Sequence, residues 1–351
     1  MNTIVYTPDL HLDGHFAATI GCFDGLHRGH QHLLRQLADA AAVRGQRTLV
    51  VTFDRHPRQT LQPAWQPQLI TTLAERQALL DETGIDTLVI LPFTVELARL
   101  TAHEFMGSIL RNRLSVSTLL TGYDNRFGCR TAHDDGLRPY DDYRRYGATI
   151  GLDVLLAEPL IVDGEAVSSS RVRRLLGEGS VRQAARCLGR PYTLAGRVVH
   201  GDGIGRTLGF PTANLAPDDP CKLIPRPGVY AVSVGMVCDG ERQYRPAVMN
   251  IGTRPTFGSH NLTLEVYVLD FSADLYGQEL TVAFHERLRN EQHFDGVEAL
   301  RQQLEADAEE AKEVMRRQLV TDAEETKEVM RRMGEEDVSP KDGGDLPKPL
   351  L

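Results

Sequence analysis

Two histidines, three residues apart, are the first side chains in the sequence whose types and spacing could do chemistry. His27 and His30 end the segment GCFDGLHRGH, residues 21–30, which joins a predicted strand to a predicted helix. Backbone N–H groups and the positive end of a helix favour an anion at such a loop, and glycines let it approach closely. Imidazole donors beside a phosphate would stabilise charge on a pentavalent phosphorus and on a leaving pyrophosphate. The segment therefore predicts group transfer at phosphorus, which requires no covalent nucleophile on the protein.

The residues alone leave two other interpretations of this histidine pair open. The pair can be a chance feature of a helix N-terminus, or it can form a metal site together with His32. No pattern of Cys, Asp or Glu completes such a metal site. A P-loop is excluded because the segment lacks the Gly-Lys-Ser/Thr ending.

A second segment with phosphate-binding chemistry is VSSSRVR, residues 167–173. Hydroxyls and guanidinium groups at a helix start suit phosphate oxygens, and arginine binds them in bidentate geometry. The alternative is a serine that caps the helix predicted for residues 171–176, and both interpretations can hold at once.

A glycine-rich cluster occupies residues 196–215, GRVVHGDGIGRTLGFPTANL. It is not a dinucleotide fingerprint, because no helix pattern follows the glycines. A flap between strands, with backbone N–H groups around phosphates, fits the cluster better. A flexible hairpin loop is the alternative.

The elements that must position the first two segments alternate between strands and helices. Strands are predicted for residues 17–20, 48–53, 87–91 and 118–121, and helices for residues 31–44, 73–82 and 102–111. This alternation predicts a parallel sheet covered on both faces, which binds ligands beyond the carboxyl ends of its strands.

The pattern changes after about residue 185, where short strands with frequent Gly and Pro replace the helices. The strands are predicted for residues 192–200, 228–237, 245–250, 262–270 and 279–284. They indicate a small antiparallel barrel, closed by a helix from Val297 to about Met315. The fold class is therefore α/β followed by mainly β, with the boundary in the stretch 176–190.

The end of the chain contains a repeat, because residues 308–317 recur almost unchanged as residues 323–332. The period predicts a duplicated piece of helix, and two copies are too few for a solenoid. Residues 335–351 are polar and rich in Pro and Gly, which predicts disorder. The chain thus divides into domains 1–185 and 186–315, followed by a tail, 316–351.

The composition is that of an ordinary soluble protein, with 41% hydrophobic and 25% charged residues and a net charge of −9. An acidic chain is a poor candidate for nucleic-acid binding. No apolar run is long enough to span a bilayer, and the N-terminus does not have the pattern of a signal peptide. The five scattered cysteines indicate reduced thiols and a cytoplasmic protein.

Taken together, these motifs resemble the bifunctional bacterial riboflavin kinase / FAD synthetase family over about residues 15–310. The segment 21–30 resembles the ATP-binding motif of the nucleotidyltransferase superfamily. Three further segments resemble the bifunctional family itself: VTFDRHP (51–57), LITTLAER (69–76) and GYDNRFG (122–128). The resemblance implies a Rossmann-like domain and places Asn125 near the metal-bound phosphates and the flavin. It implies that ATP is bound there by Gly21, Phe23, Asp24, Gly25, His27, His30, Ser168, Ser169 and Arg173.

The second half resembles the riboflavin kinase signature, whose core is the PTAN sequence at residues 211–214. The resemblance implies that Thr212 and Asn214 hold Mg²⁺ and phosphate, a sensible task for hydroxyl and amide oxygens. It implies that ATP is bound by Gly201, Gly203, Gly205, Gly209, Pro211, Thr212 and Asn214. The similar segment RNEQHF, residues 289–294, implies flavin contacts from Arg289, Glu291 and Phe294.

A kinase that acts on a primary alcohol needs a base for the hydroxyl proton, and Glu265 is the candidate. In the strand LTLEVYV, residues 262–268, the apolar residues 262, 264, 266 and 268 alternate with it. Most such glutamates face solvent, but the family places its catalytic glutamate at this position.

The resemblance implies two sequential reactions that use ATP and Mg²⁺. Riboflavin and ATP give FMN and ADP in the barrel, and FMN and ATP then give FAD and pyrophosphate in the first domain. Two alternatives remain: a same-fold enzyme that acts on another phosphate ester, and a non-catalytic flavin-binding regulator. The enzyme for another phosphate ester would have a second half without kinase residues. The non-catalytic regulator would lack the base at Glu265 or the histidines His27 and His30.

Overall fold

The computed structural model describes residues 1–123, 125–129, 139–201, 209–238, 240–256 and 259–336. Its first half is built around a parallel sheet and its second half is a closed antiparallel barrel, so the predicted fold class is confirmed. Within the described ranges, no helix combines the length and the apolar composition that crossing a bilayer requires.

The strands of the first half are β1 (Asn2–Val5), β2 (Phe16–Ile20), β3 (Arg47–Phe53), β4 (Thr87–Leu91), β5 (Val116–Thr121) and β6 (Asp153–Leu156). They form one sheet in the order β1-β4-β3-β2-β5-β6, and every pairing in it is parallel. Strands β2 and β4 are buried along their whole length, because packed layers cover both faces of the sheet. The direction of winding reverses between β2 and β5, the position at which sheets of this type bind ligands.

The helices of this half are α1 (Arg28–Arg44), α2 (Pro57–Leu61), α3 (Leu73–Asp81), α4 (Val95–Arg99), α5 (Ala102–Glu104) and α6 (Pro139–Ile150). Helix α1 begins three residues before its predicted start, because His27 caps it. Strands β1 and β6 and helices α2, α4 and α6 were not predicted from the sequence.

The helix predicted for residues 102–111 is only partly an α-helix. One turn, α5, is followed by a π-helix, Phe105–Arg111, in which the N–H of Asn112 donates to the carbonyl of Gly107, five residues earlier. The wider turn brings two adjacent pairs to the core, Phe105 with Met106 and Ile109 with Leu110, and all four are buried. Apolar spacing predicts a helix here but does not distinguish these two kinds of turn.

Two further helices fill the predicted boundary at residues 176–190. A short hairpin, β7 (Ile161–Val162) and β8 (Glu165–Ala166), precedes α7 (Ser169–Glu178) and α8 (Val181–Leu188). Both helices end at glycines with a left-handed backbone, Gly179 and Gly189. Helix α8 was not predicted, although its apolar face joins the core of the barrel.

The barrel consists of β9 (Tyr192–Val199), β10 (Ala213–Pro217), β11 (Gly228–Cys238), β12 (Glu241–Thr256), β13 (Ser259–Val268) and β14 (Glu279–Arg289). It closes in the order β10-β13-β12-β11-β14-β9, with antiparallel pairing throughout. Its interior is filled by apolar side chains such as Tyr230, Met249 and Phe284. Strand β10 was not predicted because it begins inside the glycine-rich cluster.

One continuous helix, α9 (Val297–Glu336), takes the place of the predicted closing helix and the separate tail helix. Ala308, Ala311 and Val314 pack on the outside of the barrel against residues such as Val229 and Val248. The helix backbone runs through both copies of the repeat. Residues 337–351, which include most of the stretch predicted to be disordered, lie outside the described residues.

Candidate active sites

The first candidate site lies at the carboxyl ends of β2 and β5, where the winding of the sheet reverses. A cleft of about 190 Å³ opens there between the start of α1, the end of β5 and the start of α7. Residues from these three elements line it, among them His27, His30, Gly122, Ser168, Ser169 and Ser170. Because α1 and α7 both begin at the cleft, both direct their positive ends toward it.

His27 is the N-cap of α1, and its Nδ1 accepts a hydrogen bond from the backbone N–H of His30 at 3.2 Å. Burial lowers the pKa of His27 to about 4. The ring is therefore neutral near pH 7, and because Nδ1 is an acceptor, its proton is at Nε2. The ring of His30 stacks on that of His27, with centroids 3.6 Å apart.

His30 is also neutral, because burial, followed by the charges at His27 and Arg76, lowers its pKa well below the usual range. Its Nδ1 is buried without a hydrogen-bond partner. The cleft thus holds two neutral imidazoles at one helix start, each able to donate one N–H group. A metal site with His32 finds no support, because among the described residues no group of three or more His, Cys, Asp or Glu is arranged to hold a metal ion.

Gly29 explains how α1 begins so close to the segment before α7. A Cβ at this position would lie 2.8 Å from the carbonyl oxygen of Val167 and 3.0 Å from Nδ1 of His27. Any larger residue must push these two elements apart. Gly29 was part of the first motif, but the sequence did not reveal which contact requires a glycine.

The serines of the second segment have backbone partners as well as a place in the cleft. The Ser168 hydroxyl accepts the N–H of Arg171 at 3.2 Å, so Ser168 is the N-cap of α7. The Ser169 hydroxyl donates to the carbonyl of Asp24 at 2.8 Å. The capping interpretation therefore holds, and it places the hydroxyls at the cleft.

The carboxylate of Asp24 is only 3% exposed and is engaged by neighbouring groups. It accepts the N–H groups of Ile70 and Thr71, at 3.0 and 2.8 Å, and forms an ion pair with Arg173. Arg173 also donates through Nε to the carbonyl of Gln68 at 2.9 Å. Asp24 thus holds Arg173 and the segment 68–71 in position.

The other residues expected to bind ATP or flavin in this half support the loop. Phe23 is buried and its ring lies 5.1 Å from that of His30. The N–H of Gly25 donates to the Thr71 hydroxyl at 2.8 Å, and the N–H of Gly21 donates to the carbonyl of Val51 at 3.1 Å. The Asn125 side chain donates to the carbonyl of Ile20, the last residue of β2, which places its amide at the same sheet edge.

Arg76 is a buried cation near this site to which the sequence analysis assigned no role. One of its terminal nitrogens donates to the Thr52 hydroxyl at 3.0 Å and to the Phe53 carbonyl at 3.2 Å, while its Nε has no partner. Burial lowers its pKa, although the nearby Asp24 opposes the shift. The family-like segment 69–76 ends at Arg76, but nothing in it indicates that the side chain is buried.

The second candidate site is a polar row across the outside of the barrel. The strand registers place Asn214 of β10 opposite Glu265 of β13, and Glu265 opposite Asn250 of β12. Neighbours on one row point to the same side of the sheet. Leu264 and Val266 point inward and are buried, so Glu265 lies on the opposite face, as predicted.

Glu291 approaches the same row from the segment after β14. An added Cβ on Gly252 would lie 2.8 Å from Oε1 of Glu291 and 2.9 Å from the Thr263 hydroxyl. Gly252 follows Asn250 by two residues on β12. A second carboxylate therefore lies next to the polar row.

Pro211 and Thr212 line a cavity of about 470 Å³ at the barrel mouth, with Phe271, Asp274 and Tyr276 on its other side. The start of the glycine-rich flap lies close by, because a Cβ on Gly201 would overlap the Asn214 side chain. Gly209 has a left-handed backbone with open space around it. The predicted ATP-binding residues Gly203 and Gly205 lie outside the described residues.

Arg289 ties the last strand to α9. Its guanidinium makes two hydrogen bonds to the Asp307 carboxylate, at 2.8 and 2.7 Å, and Asp307 is 1% exposed. The same guanidinium lies 5.7 Å from the centre of the Phe294 ring. Arg289 and Phe294, both expected to contact flavin, therefore lie close together, and Arg289 is fixed by its ion pair with Asp307. This ion pair was not predicted from the sequence, because Asp307 belongs to a different element.

Each half of the chain matches a known family. Residues 11–171 match FAD synthetase and residues 188–315 match riboflavin kinase. A nucleotidyltransferase for another phosphate ester would lack the second match. A crystal structure described as a macrolide-efflux protein from Streptococcus pneumoniae has the same fold, with a TM-score of 0.78 and 32% identity, and the match covers 89% of this chain and 99% of that one.

Two similar proteins are bifunctional riboflavin kinase/FMN adenylyltransferases. The one from Pseudomonas fluorescens is 41% identical over 296 residues, which cover 84% of this chain and 91% of the relative. The one from Escherichia coli is 37% identical over 298 residues, with the same coverage of 84% and 91%. The chain therefore belongs to the family of bifunctional riboflavin kinase/FMN adenylyltransferases.

Proposed function

We propose that FMN is adenylylated in the cleft of His27 and His30, and that riboflavin is phosphorylated at the polar row of Asn214, Glu265 and Asn250. The corresponding domains are residues 1–185 and 186–315, followed by the tail 316–351. The observation that carries the proposal is the stacked pair of neutral histidines where α1 begins, at the reversal of the sheet. ATP, riboflavin and FMN are the substrates, and ADP, FAD and pyrophosphate are the products.

In the first half, the phosphates of ATP lie between the starts of α1 and α7. The FMN phosphate attacks the α-phosphorus in line and pyrophosphate leaves, so no group on the protein becomes covalently bound. The N–H groups of His27 and His30 donate to the oxygens that gain charge. Arg173 adds positive charge beside them, held by its ion pair with Asp24.

In the second half, the Glu265 carboxylate accepts the proton of the riboflavin hydroxyl as its oxygen attacks the γ-phosphorus of ATP. The ATP phosphates lie beside Thr212 and Asn214, under the glycine-rich flap. Phe294, whose ring lies 5.7 Å from the Arg289 guanidinium, is the residue that would stack on the flavin.

Mg²⁺ is the proposed cation in both reactions. The amide of Asn214 and the carboxylate of Glu265 are paired in the strand register, and hydroxyl, amide and phosphate oxygens are ligands that this ion prefers. Thr212 and Asn214 would hold it, and when bound it neutralises phosphate charge. A cytoplasmic location fits the free thiols of Cys22, Cys129, Cys187 and Cys221.

The test is to assay each reaction separately in variants of each half. We expect His30→Ala to lower the rate of FAD formation from FMN by about 100-fold, the usual effect of losing one donor to developing charge, and to spare FMN formation. We expect Glu265→Gln to lower the rate of FMN formation from riboflavin by at least about 100-fold and to spare FAD formation.

The matched controls are His32→Ala and Glu279→Gln, which change the same residue types outside the two sites. Flavins are separated chromatographically after incubation with ATP and Mg²⁺. Equal loss of both reactions in His30→Ala, or in Glu265→Gln, would contradict the assignment of one reaction to each half.

A further inference from the structure

The ATP-binding loop of the first half is held from behind by a short segment, residues 68–71. Ile70 and Thr71 of this segment donate their N–H groups to Asp24, and the Thr71 hydroxyl accepts the N–H of Gly25. The carbonyl of Gln68 accepts Nε of Arg173. The positions of Asp24 and Arg173 therefore depend on where this segment lies.

This segment is in turn held by residues of the kinase half. The N–H of Leu69 donates to the carbonyl of Cys221, and the N–H of Leu223 donates to the carbonyl of Leu69, both at 2.8 Å. These bonds form a parallel β-bridge between Leu69 and Lys222. The bridge connects one residue of each half.

Lys222 is the charged part of this connection. Its side chain is buried, and Nζ donates to the carbonyl of Ile70 at 2.9 Å and forms an ion pair with Glu75. Nζ also lies 5.3 Å from the centre of the Tyr192 ring. Burial lowers the pKa of Lys222, while Glu75 opposes that shift.

The ion pair also reaches the start of α3. The same Glu75 carboxylate oxygen accepts the backbone N–H of Thr72 at 2.8 Å, as part of the capping box of that helix. Helix α3 carries Arg76, the buried cation whose charge helps to lower the pKa of His30. One ammonium group from the kinase half therefore contacts both the segment 68–71 and the first turn of α3.

We propose that Lys222, a residue of the kinase half, is a positioning residue for FMN adenylylation, because it holds the segment 68–71 that fixes Asp24 and Arg173. It is not among the residues that line the described cleft, so it acts through that segment and not on ATP. The adenylyltransferase site is thus completed by a residue from the other half of the chain. The inference rests on the proposed role of the cleft in binding ATP.

The test is the variant Lys222→Met, which keeps the length of the side chain and removes the ammonium group. We expect the KM for ATP in FAD formation to rise about tenfold, because a shifted Arg173 and loop bind the phosphates less well. We expect the conversion of riboflavin to FMN to stay within about twofold of wild type. The matched control is Lys312→Met, a more exposed lysine paired with Glu309 on α9, which should leave the ATP KM of FAD formation unchanged.

The KM for ATP distinguishes a shift of Arg173 and the segment 68–71 from a general loss of folding stability in the variant. The KM does not depend on the fraction of protein that is folded, whereas the apparent kcat does. An unchanged KM for ATP, with or without a lower kcat, would overturn the inference. The double variant Lys222→Met with Glu75→Gln removes both charges of the ion pair but still lacks the donor to Ile70. We expect its KM for ATP to remain raised, and a return to the wild-type KM would also overturn the inference.

Failure of this inference is distinguishable from failure of the proposed function. If His30→Ala forms FAD at the wild-type rate, the assignment of the cleft is wrong. If His30→Ala slows FAD formation as expected while Lys222→Met keeps the wild-type KM for ATP, the assignment of the cleft is correct and only the role of Lys222 is wrong.

Discussion

In the proposed reaction, His27 and His30 donate to phosphate oxygens as neutral rings, and they are neutral because both are buried. A neutral imidazole already holds the N–H that a phosphate needs, so it does not depend on a proton from solvent. The N-cap bond from the backbone of His30 to Nδ1 of His27 fixes where the proton of His27 is. The geometry of the helix start thus determines which ring nitrogen donates.

The lowered pKa of His27 predicts a pH dependence of folding stability. Its folded-state pKa of about 4 is below the ordinary 6.5, so between these values the unfolded chain binds more protons than the folded protein. The contribution of His27 to the free energy of unfolding is therefore present above pH 6.5 and is lost as the pH falls toward 4. We expect the free energy of unfolding to drop by about 2 kcal/mol more in wild type than in His27→Asn between about pH 7 and about pH 5.

Urea unfolding of both proteins at the two pH values measures this difference. Asparagine is a good N-cap residue, so His27→Asn keeps the start of α1 and removes only the titrating group. His32→Asn is the control for loss of a histidine elsewhere on α1. The same drop in wild type and in His27→Asn would show that His27 does not titrate as a buried group.

At the residue scale, the spacing of residues within a motif identifies candidate catalytic and binding side chains, but it does not identify their hydrogen-bond partners. His27, His30 and the serines at 168–170 are recognisable because their motifs are local, and they all line one cleft. The partners of Asp24 come from residues 46 to 149 positions away, so no local pattern reveals them. The burial of Arg76 depends in the same way on β3, which the helix sequence alone does not show.

At the scale of elements, strands buried on both faces were predicted most completely. Strand β4 has its predicted bounds, because its apolar β-branched run ends where burial ends. Strands β12 and β14 of the barrel are longer than predicted, since they continue into polar residues that still pair with their neighbours. The sequence pattern reports burial, whereas strand length is determined by backbone pairing.

The contact between α9 and the barrel depends on the Arg289–Asp307 ion pair. We expect Asp307→Asn to lower the free energy of unfolding by about 3 kcal/mol, because a mostly buried guanidinium loses its countercharge. We also expect the KM for riboflavin to rise, since Phe294 lies against that guanidinium. Urea unfolding and the kinase assay measure the two effects.

The control for this prediction is Asp322→Asn, the corresponding residue in the second copy of the repeat. We expect it to change neither stability nor the KM for riboflavin. A stability loss in Asp322→Asn equal to that in Asp307→Asn would show that the Arg289 ion pair is not what holds the helix.

At the scale of the whole molecule, the two halves are distinct in architecture but share contacts. The boundary predicted near residue 185 falls in α8, and the apolar cluster of the barrel includes Ile70 and Val172 from the first half. The hydrogen bonds of Arg190 to Gly25 and of Lys222 to Ile70 add polar links between the two halves. Composition changes along the chain reveal the two architectures, but a sequence does not show which surfaces join them.

We propose that the reacting groups of each reaction lie in one half and that FMN made in one half is the substrate of the other. The most direct measurement mixes the two variants His30→Ala and Glu265→Gln and supplies riboflavin, ATP and Mg²⁺. Alone, the first variant should accumulate FMN with little FAD, and the second should leave most of the riboflavin unchanged. We predict that the mixture forms FAD after a lag in which FMN accumulates. FAD formed from riboflavin at the wild-type rate by either variant alone, or no more FAD from the mixture than from the variants separately, would contradict the proposed assignment.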